Sequence, residues 1–299
     1  MVIKLERGMP WRYDGNVRAI LVQMVSGNPR RRHCDDHHNV FANEDICNLG
    51  RRKAAGSSYE VALFGDSMAD HWASLLERYA VDKGLAARQV TNGGCALLFG
   101  TEIPASPAAK ARECAAYQQQ ADRFIDANPG LRVAMLSAYW EKWIELLDAP
   151  SGRAGASAAI ATPLTSNFDA ILAATIRRFT DRGVKVVLIG QVPIYDVIPT
   201  RCIISAVQSK ADANTCGKSR AAGIAEVARS DATLRRVAAA LANTEVFLPS
   251  EVICRTSQCA LVVDGKLIYR NGGHLNQIGA ELLGGYARLP EPPAAAPPP

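Results

Sequence analysis

The chain has 299 residues and a formal charge of +5, long enough to bury the core of one sizeable domain plus an extension but short for two full domains. Much of the basic excess sits in Arg30, Arg31, Arg32, Arg51, Arg52 and Lys53, too local a cluster to imply nucleic acid. No run approaches the roughly 18 apolar residues that span a bilayer, and the opening Met1-Val-Ile-Lys-Leu-Glu-Arg-Gly8 lacks the apolar core of a signal peptide.

Residues 1–57 are polar, Arg-rich and weakly periodic, and read as a linker and N-terminal extension that closes on Ala54-Ala-Gly-Ser-Ser58. Within them Arg30–His38 reads as a solvated basic stretch in preference to a site for anionic glycan. A domain follows over 58–289. Apolar runs at Val61–Phe64, Gln89–Thr91, Val133–Leu136, Val184–Ile189 and Val246–Leu248 predict five strands. Helices are predicted near 69–82, 110–127, 165–182, 219–242 and 276–287, and the alternation predicts an α/β parallel sheet covered on both faces. Leu234, Val237, Ala238 and Leu241 recur at the spacing of one helix face, a core-facing stripe. Two apolar runs around Asp264-Gly265 predict a hairpin of type I′. Residues 290–299, rich in Pro and Ala, form a tail with no core to bury.

The eight cysteines fall as neighbours: Cys34 and Cys47, Cys95 and Cys114, Cys202 and Cys216, Cys254 and Cys259. An even count suggests disulfides and an oxidising compartment. Eight cysteines allow 105 connectivities, and only local loop closure favours neighbour pairing. Zinc is the competing reading, but no Cys-x-x-Cys pair occurs and no metal site is expected. An oxidising destination without an export signal is reconciled if the chain is a fragment, with a membrane segment upstream of Met1.

In an open parallel sheet, ligands bind beyond the carboxyl ends of the strands. The turn after the first predicted strand reads Gly65-Asp66-Ser67. Glycine permits a tight exit from the strand, and a serine at the next helix start presents both hydroxyl and backbone N–H to the crevice. That suits an acyl-transfer nucleophile, although Asp and Ser are also ordinary helix caps. A serine nucleophile needs a base. His33, His37 and His38 lie in the extension and His71 follows the serine by four residues, whereas His274 precedes the last helix in a loop suited to reach across a crevice.

Gly65-Asp-Ser67 together with a histidine before the last helix resembles the first and last blocks of the SGNH (GDSL-like) hydrolases. The order Gly65-Asp-Ser67, Asn92-Gly-Gly-Cys95, Leu136-Ser-Ala-Tyr-Trp140, Pro193, Cys202, Cys254 to Cys259, Tyr269-Arg270 and His274-Leu275 more narrowly resembles the SGNH domains fused behind acyltransferase-3 membrane domains in bacterial O-acetyltransferases. This resemblance covers residues 34–288.

The resemblance implies a three-layer, flavodoxin-like SGNH fold with a five-stranded parallel sheet. It implies a periplasmic domain that takes an acyl group, usually acetyl and ultimately from acetyl-CoA, from an upstream membrane domain and passes it to a hydroxyl of an envelope glycan such as lipopolysaccharide O-antigen. No resident cofactor and no nucleic-acid partner are expected. Ser67 is the expected nucleophile and His274 its base. The backbone N–H groups of Ser67 and Gly94 form the oxyanion hole, with Gly93 a close competitor. Asp66 and Trp140 are expected against substrate, and Tyr139, Trp140 and Trp143 suit stacking on sugar rings or a place in the core.

Two departures stand out. The family's third-block asparagine is absent near strand three, leaving two oxyanion donors. The last block is Asn271-Gly-Gly-His274 where the family has Asp-x-x-His, so Asn271 stands where the aspartate orients the base. A slow Ser–His dyad, an acid recruited from elsewhere such as Glu141 or Glu251, and a non-catalytic glycan-binding module remain alternatives, as does an esterase using water as acceptor.

Overall fold

The computed structural model describes residues 14–35, 41, 44–102, 108–148 and 166–292. The opening linker residues, His37, His38 and most of the Pro/Ala tail lie outside them. Strands β2 (Val61–Gly65), β3 (Ala86–Thr91), β4 (Val133–Ser137), β5 (Lys185–Ile189) and β6 (Thr244–Phe247) pair in parallel. Strand β1 (Asn48–Gly50) pairs antiparallel with β3 and gives the order β1-β3-β2-β4-β5-β6. The parallel part is the flavodoxin-like order. The sheet therefore has six strands where five were expected. The sixth escapes a periodicity reading because it is three residues long and buries only Leu49.

Both sheet faces are apolar, which fits a parallel sheet between helical layers. Ala62, Phe64, Ala134, Leu136, Val186 and Leu188 face one layer, formed by α6 (Ala108–Ala127), α7 (Trp140–Asp148), α8 (Asn167–Thr180) and α10 (Arg220–Ala239). Val61, Leu63, Val133, Met135, Val187 and Ile189 face the other, which includes α1 (Gly15–Gln23), α5 (Ala73–Asp82), α9 (Thr200–Gln208), α11 (Pro249–Ile253) and α12 (Gln277–Gly284). Leu234, Val237 and Ala238 are buried as their spacing predicts. The hairpin forms as β7 (Val262–Val263) and β8 (Lys266–Leu267), with Asp264 and Gly265 both at positive φ, as a type I′ turn requires.

The described part of the extension is folded onto the domain. It includes α2 (Arg31–Cys34) and α3 (Glu44–Cys47), joined by a disulfide between Cys34 and Cys47. Gln23 Oε1 accepts from the Leu267 N–H at 2.7 Å and the Gln23 carbonyl accepts from Asn276 Nδ2 at 3.1 Å. Arg30 forms a bidentate pair with Glu77 at 2.9 and 2.8 Å, and Arg31 lies 3.3 Å from buried Asp35 and 3.4 Å from buried Asp70. The expectation of a solvated basic stretch is therefore corrected for these two arginines: each has a carboxylate of the fold within reach. Disulfides also join Cys95 to Cys114, Cys202 to Cys216 and Cys254 to Cys259, with Cα separations of 5.1, 5.8 and 4.0 Å. Among the described residues no helix is long and apolar enough to cross a membrane.

Candidate active site

The strand order reverses direction at β2, whose neighbours are β3 and β4, so the crevice beyond its carboxyl end is where such a sheet holds ligand. Gly65 ends this strand at φ +138°, and a Cβ there would lie 1.7 Å from the Ser137 carbonyl oxygen of β4. Only glycine fits so close an approach. The chain then turns at Asp66 into α4 (Ser67–Asp70). Asp66 is buried, its Oδ1 accepting from the Met68 N–H at 2.8 Å and its Oδ2 from the Tyr139 N–H and Trp143 Nε1, both at 3.0 Å. One carboxylate thus fixes the Ser67 turn to the start of α7. Burial raises its pKa, while Trp143, Tyr139 and Met68 oppose that shift by donating to the anion.

Ser67, partly exposed, carries the turn's hydroxyl. Its Oγ lies 2.9 Å from His274 Nε2, and His274 Nδ1 lies 2.9 Å from Asn271 Oδ1. The two residues are 207 positions apart in the chain. The histidine sits just before α12, whose N-cap Asn276 accepts from the Gly279 N–H at 2.7 Å. Burial, then Arg270 and Arg31, depress the His274 pKa to about 4.

The Asn92–Cys95 turn leaves β3 beside this serine, since Thr91 is the register partner of Gly65 and the Asn92 N–H donates to the Gly65 carbonyl at 2.9 Å. The Gly93 N–H donates to the Asp35 carbonyl at 2.8 Å. Gly94, at φ +76°, has an N–H with no hydrogen-bond partner among the described residues, and the same holds for the Ser67 N–H. The disulfide from Cys95 to Cys114 fastens this turn to α6.

Two expected substrate contacts are corrected. Trp140 is 1% exposed and its indole donates to the Ile189 carbonyl at 2.8 Å, so it fills the core between sheet and α8 instead of offering a face to sugar. Asp66 is 2% exposed with both oxygens occupied, so it organises the turn and reaches no substrate. Trp143 is likewise buried, and Tyr139 is the one aromatic of the three with an exposed side chain. The two acids considered as replacements for the family aspartate point elsewhere. Glu141 accepts from Arg229 and from the Ser230 N–H, and Glu251 pairs with Arg235.

Sequence reasoning missed the residues packed around His274. His71 is buried, meets the His274 ring edge-on at a centroid distance of 6.0 Å, and has its pKa lowered well below the ordinary histidine value by burial and then by the neighbouring His274, Arg270 and Arg31. Asp70 accepts from Asn28 Nδ2 at 2.6 Å and Gln89 Nε2 at 3.0 Å. A helical reading from Ser67 puts residue 71 one turn away on the same side, the signal that was available.

The model of the SGNH domain fused to AT3 domains matches residues 33–287. The chain belongs to this SGNH-domain family. No curated protein matches it. A solved structure described as the periplasmic domain of the Salmonella ser. Paratyphi A lipopolysaccharide acetyltransferase shares its fold, with a TM-score of 0.54, 16% identity, and coverage of 77% of this chain and 82% of that one. The SGNH match begins inside the extension, in keeping with the folding of α2, α3 and β1 onto the domain.

Proposed function

We propose that this SGNH domain acts in the periplasm as the transfer domain of a glycan O-acetyltransferase, with an acyltransferase-3 membrane domain as its acyl source and acetyl-CoA as the ultimate donor. The observation that carries the reading is Ser67 Oγ at 2.9 Å from His274 Nε2, on a domain of the family fused to such membrane domains. In the first half-reaction Ser67 Oγ attacks the carbonyl carbon of the acyl donor while its proton passes to His274 Nε2. The negative charge develops on the former carbonyl oxygen, where the Ser67 and Gly94 N–H groups are the two proposed donors. Each such donor is worth roughly 3 kcal/mol in the transition state. Collapse expels the leaving group, which takes the proton from His274, and leaves an acyl ester on Ser67. In the second half a sugar hydroxyl loses its proton to His274, attacks that ester and departs with the acyl group, and the proton returns to Ser67.

Gly94 is preferred to Gly93 in the oxyanion role because the Gly93 N–H already serves Asp35. The burial of Trp140 and Trp143 removes two of the three aromatics that a purely glycan-binding module would have used. The test presents an activated acetyl ester with and without an oligosaccharide acceptor to the parent protein, Ser67→Ala and His274→Gln. Acetylated sugar formed by the parent and lost in both variants supports transfer. Ester turnover indifferent to acceptor points to hydrolysis, and parent turnover no faster than Ser67→Ala overturns the enzyme reading.

A further inference from the structure

We infer that Asn271 is a positioning residue that locks the tautomer of His274, so the replacement of the family aspartate keeps the base in its working form and gives up only the charge. The inference rests on the reading of His274 as general base. An asparagine side chain has an acceptor end and a donor end of nearly equal shape, and which end meets the imidazole decides which ring nitrogen holds the proton. In a serine protease the exchange of aspartate for asparagine costs about four orders of magnitude because the wrong tautomer results. Here the choice is made by the backbone. The N–H groups of Gly273 and His274 point at Asn271 Oδ1 from 3.1 and 2.9 Å. Backbone N–H groups only donate, so the atom they meet is the carbonyl oxygen. That same oxygen lies 2.9 Å from His274 Nδ1 and can only accept, so Nδ1 carries the proton. A neutral imidazole has one N–H, and Nε2, 2.9 Å from Ser67 Oγ, is therefore left with its lone pair toward the nucleophile. Reversing the amide would set its NH2 against the two backbone N–H groups at once.

The loop that aims those amides is itself fixed. The Arg270 N–H donates to the His274 carbonyl at 2.9 Å, and the Tyr195 N–H donates to the Gly272 carbonyl at 2.7 Å. A Cβ on Gly272 would fall 1.6 Å from the Tyr195 carbonyl oxygen, so the glycine that follows Asn271 is required by this approach. What the asparagine does not supply is stabilisation of the imidazolium. The charged groups that shift His274 are Arg270 on its own loop and Arg31 on α2, both cationic, while His71 packs against its ring. Burial and these two cations, with no carboxylate among the groups that shift it, bring the base's pKa down to about 4.

The test uses protein with 15N-labelled histidine, in which long-range 1H–15N correlations read the tautomer, with His274→Gln assigning the His274 signals. The parent should show a neutral His274 protonated on Nδ1. Asn271→Asp should keep that tautomer, raise the His274 pKa by a unit or more, and speed Ser67-dependent turnover of p-nitrophenyl acetate at neutral pH. Asn271→Ala should populate the Nε2–H form and lower kcat at least about tenfold with KM little changed. A parent His274 protonated mainly on Nε2, or an Asn271→Ala protein with the parent's tautomer and kcat, overturns the inference. The spectra need no turnover, so a protein that fails to transfer acyl groups refutes the proposed function while the tautomer is still decided.

Discussion

Gly65→Ala tests how closely the turn that carries Ser67 depends on one backbone contact. An added Cβ would sit 1.7 Å from the Ser137 carbonyl oxygen, 2.9 Å from its carbon and 3.0 Å from Ala69 Cβ. The first two are backbone atoms of the register partner in β4, so no rotamer change relieves them. Residue 65 also adopts φ +138°, which L side chains avoid. Strain of that kind costs about 1–3 kcal/mol and overpacking a further ~1–3 kcal/mol, so the variant should lose about 2–6 kcal/mol in urea unfolding. Ser67 lies two residues on, and displacement of a reacting group by about 1 Å lowers turnover on the order of 100-fold. Turnover of p-nitrophenyl acetate under native conditions is the second readout. Gly94→Ala is the contrast, because its Cβ would meet only the far end of Lys110 at 3.2 Å and the cost is that of a positive φ, about 1–2 kcal/mol. A Gly65→Ala protein within about 1 kcal/mol of the parent, with parent-like turnover, would refute the argument from close approach.

Asp169 is fully buried on α8 and held by a bidentate Arg236 on α10, both contacts at 2.8 Å. Arg236→Met keeps most of the stem but takes the guanidinium away from the buried carboxylate. It should cost about 2–4 kcal/mol in urea unfolding, below the fully buried range because Arg236 stays partly in water, and Asp169→Asn added to it should recover part of the loss. Equal stability of parent and Arg236→Met would contradict this. The depressed His274 pKa has a definite sign in stability. Its folded value of about 4 lies below the unfolded 6.5, so the unfolded chain binds the proton first and stability falls as pH drops through 6.5 toward 4. Between pH 7 and 4.5 that single group should remove about 2 kcal/mol. Asp231, raised to about 6 by burial, titrates in the opposite sense, so the comparison is made between parent and His274→Gln, where such terms cancel. Parallel pH dependences of unfolding in the two proteins would refute it.

The layered sheet was legible because its central strands β2 and β4 are buried on both faces and read as apolar runs, Val61–Phe64 and Val133–Leu136. Elements that draw their stability from contacts distant in sequence were not. Strand β1 exists because Asn48–Gly50 meets Ala86–Arg88, and α1 is held through Ile20 and the Gln23 contacts to the region around β8 and α12. The predicted helix at 69–82 divides into α4 and α5, with buried His71 and Trp72 at the break. Trp140 and Trp143 illustrate the limit for function. An aromatic cluster after a strand suits sugar stacking or core equally, and only the positions of the Ile189 carbonyl and Asp66 show that both indole N–H groups are directed inward.

The site divides along the same line. Ser67 is marked by local sequence, since Gly65 permits the tight strand exit and Asp66 caps the turn through the Met68 N–H. The status of Asn271 is not, because residue type leaves its amide free to present either end. Its orientation follows from two N–H groups supplied by Gly273 and His274, and their direction follows from a loop pressed against the Tyr195 backbone. An aspartate needs no such arrangement, as both of its oxygens accept. Changing aspartate to asparagine therefore transfers the task of selecting the tautomer from the side chain's charge to the backbone's geometry. Gly272, where a Cβ would fall 1.6 Å from the Tyr195 carbonyl oxygen, is the residue that admits that geometry.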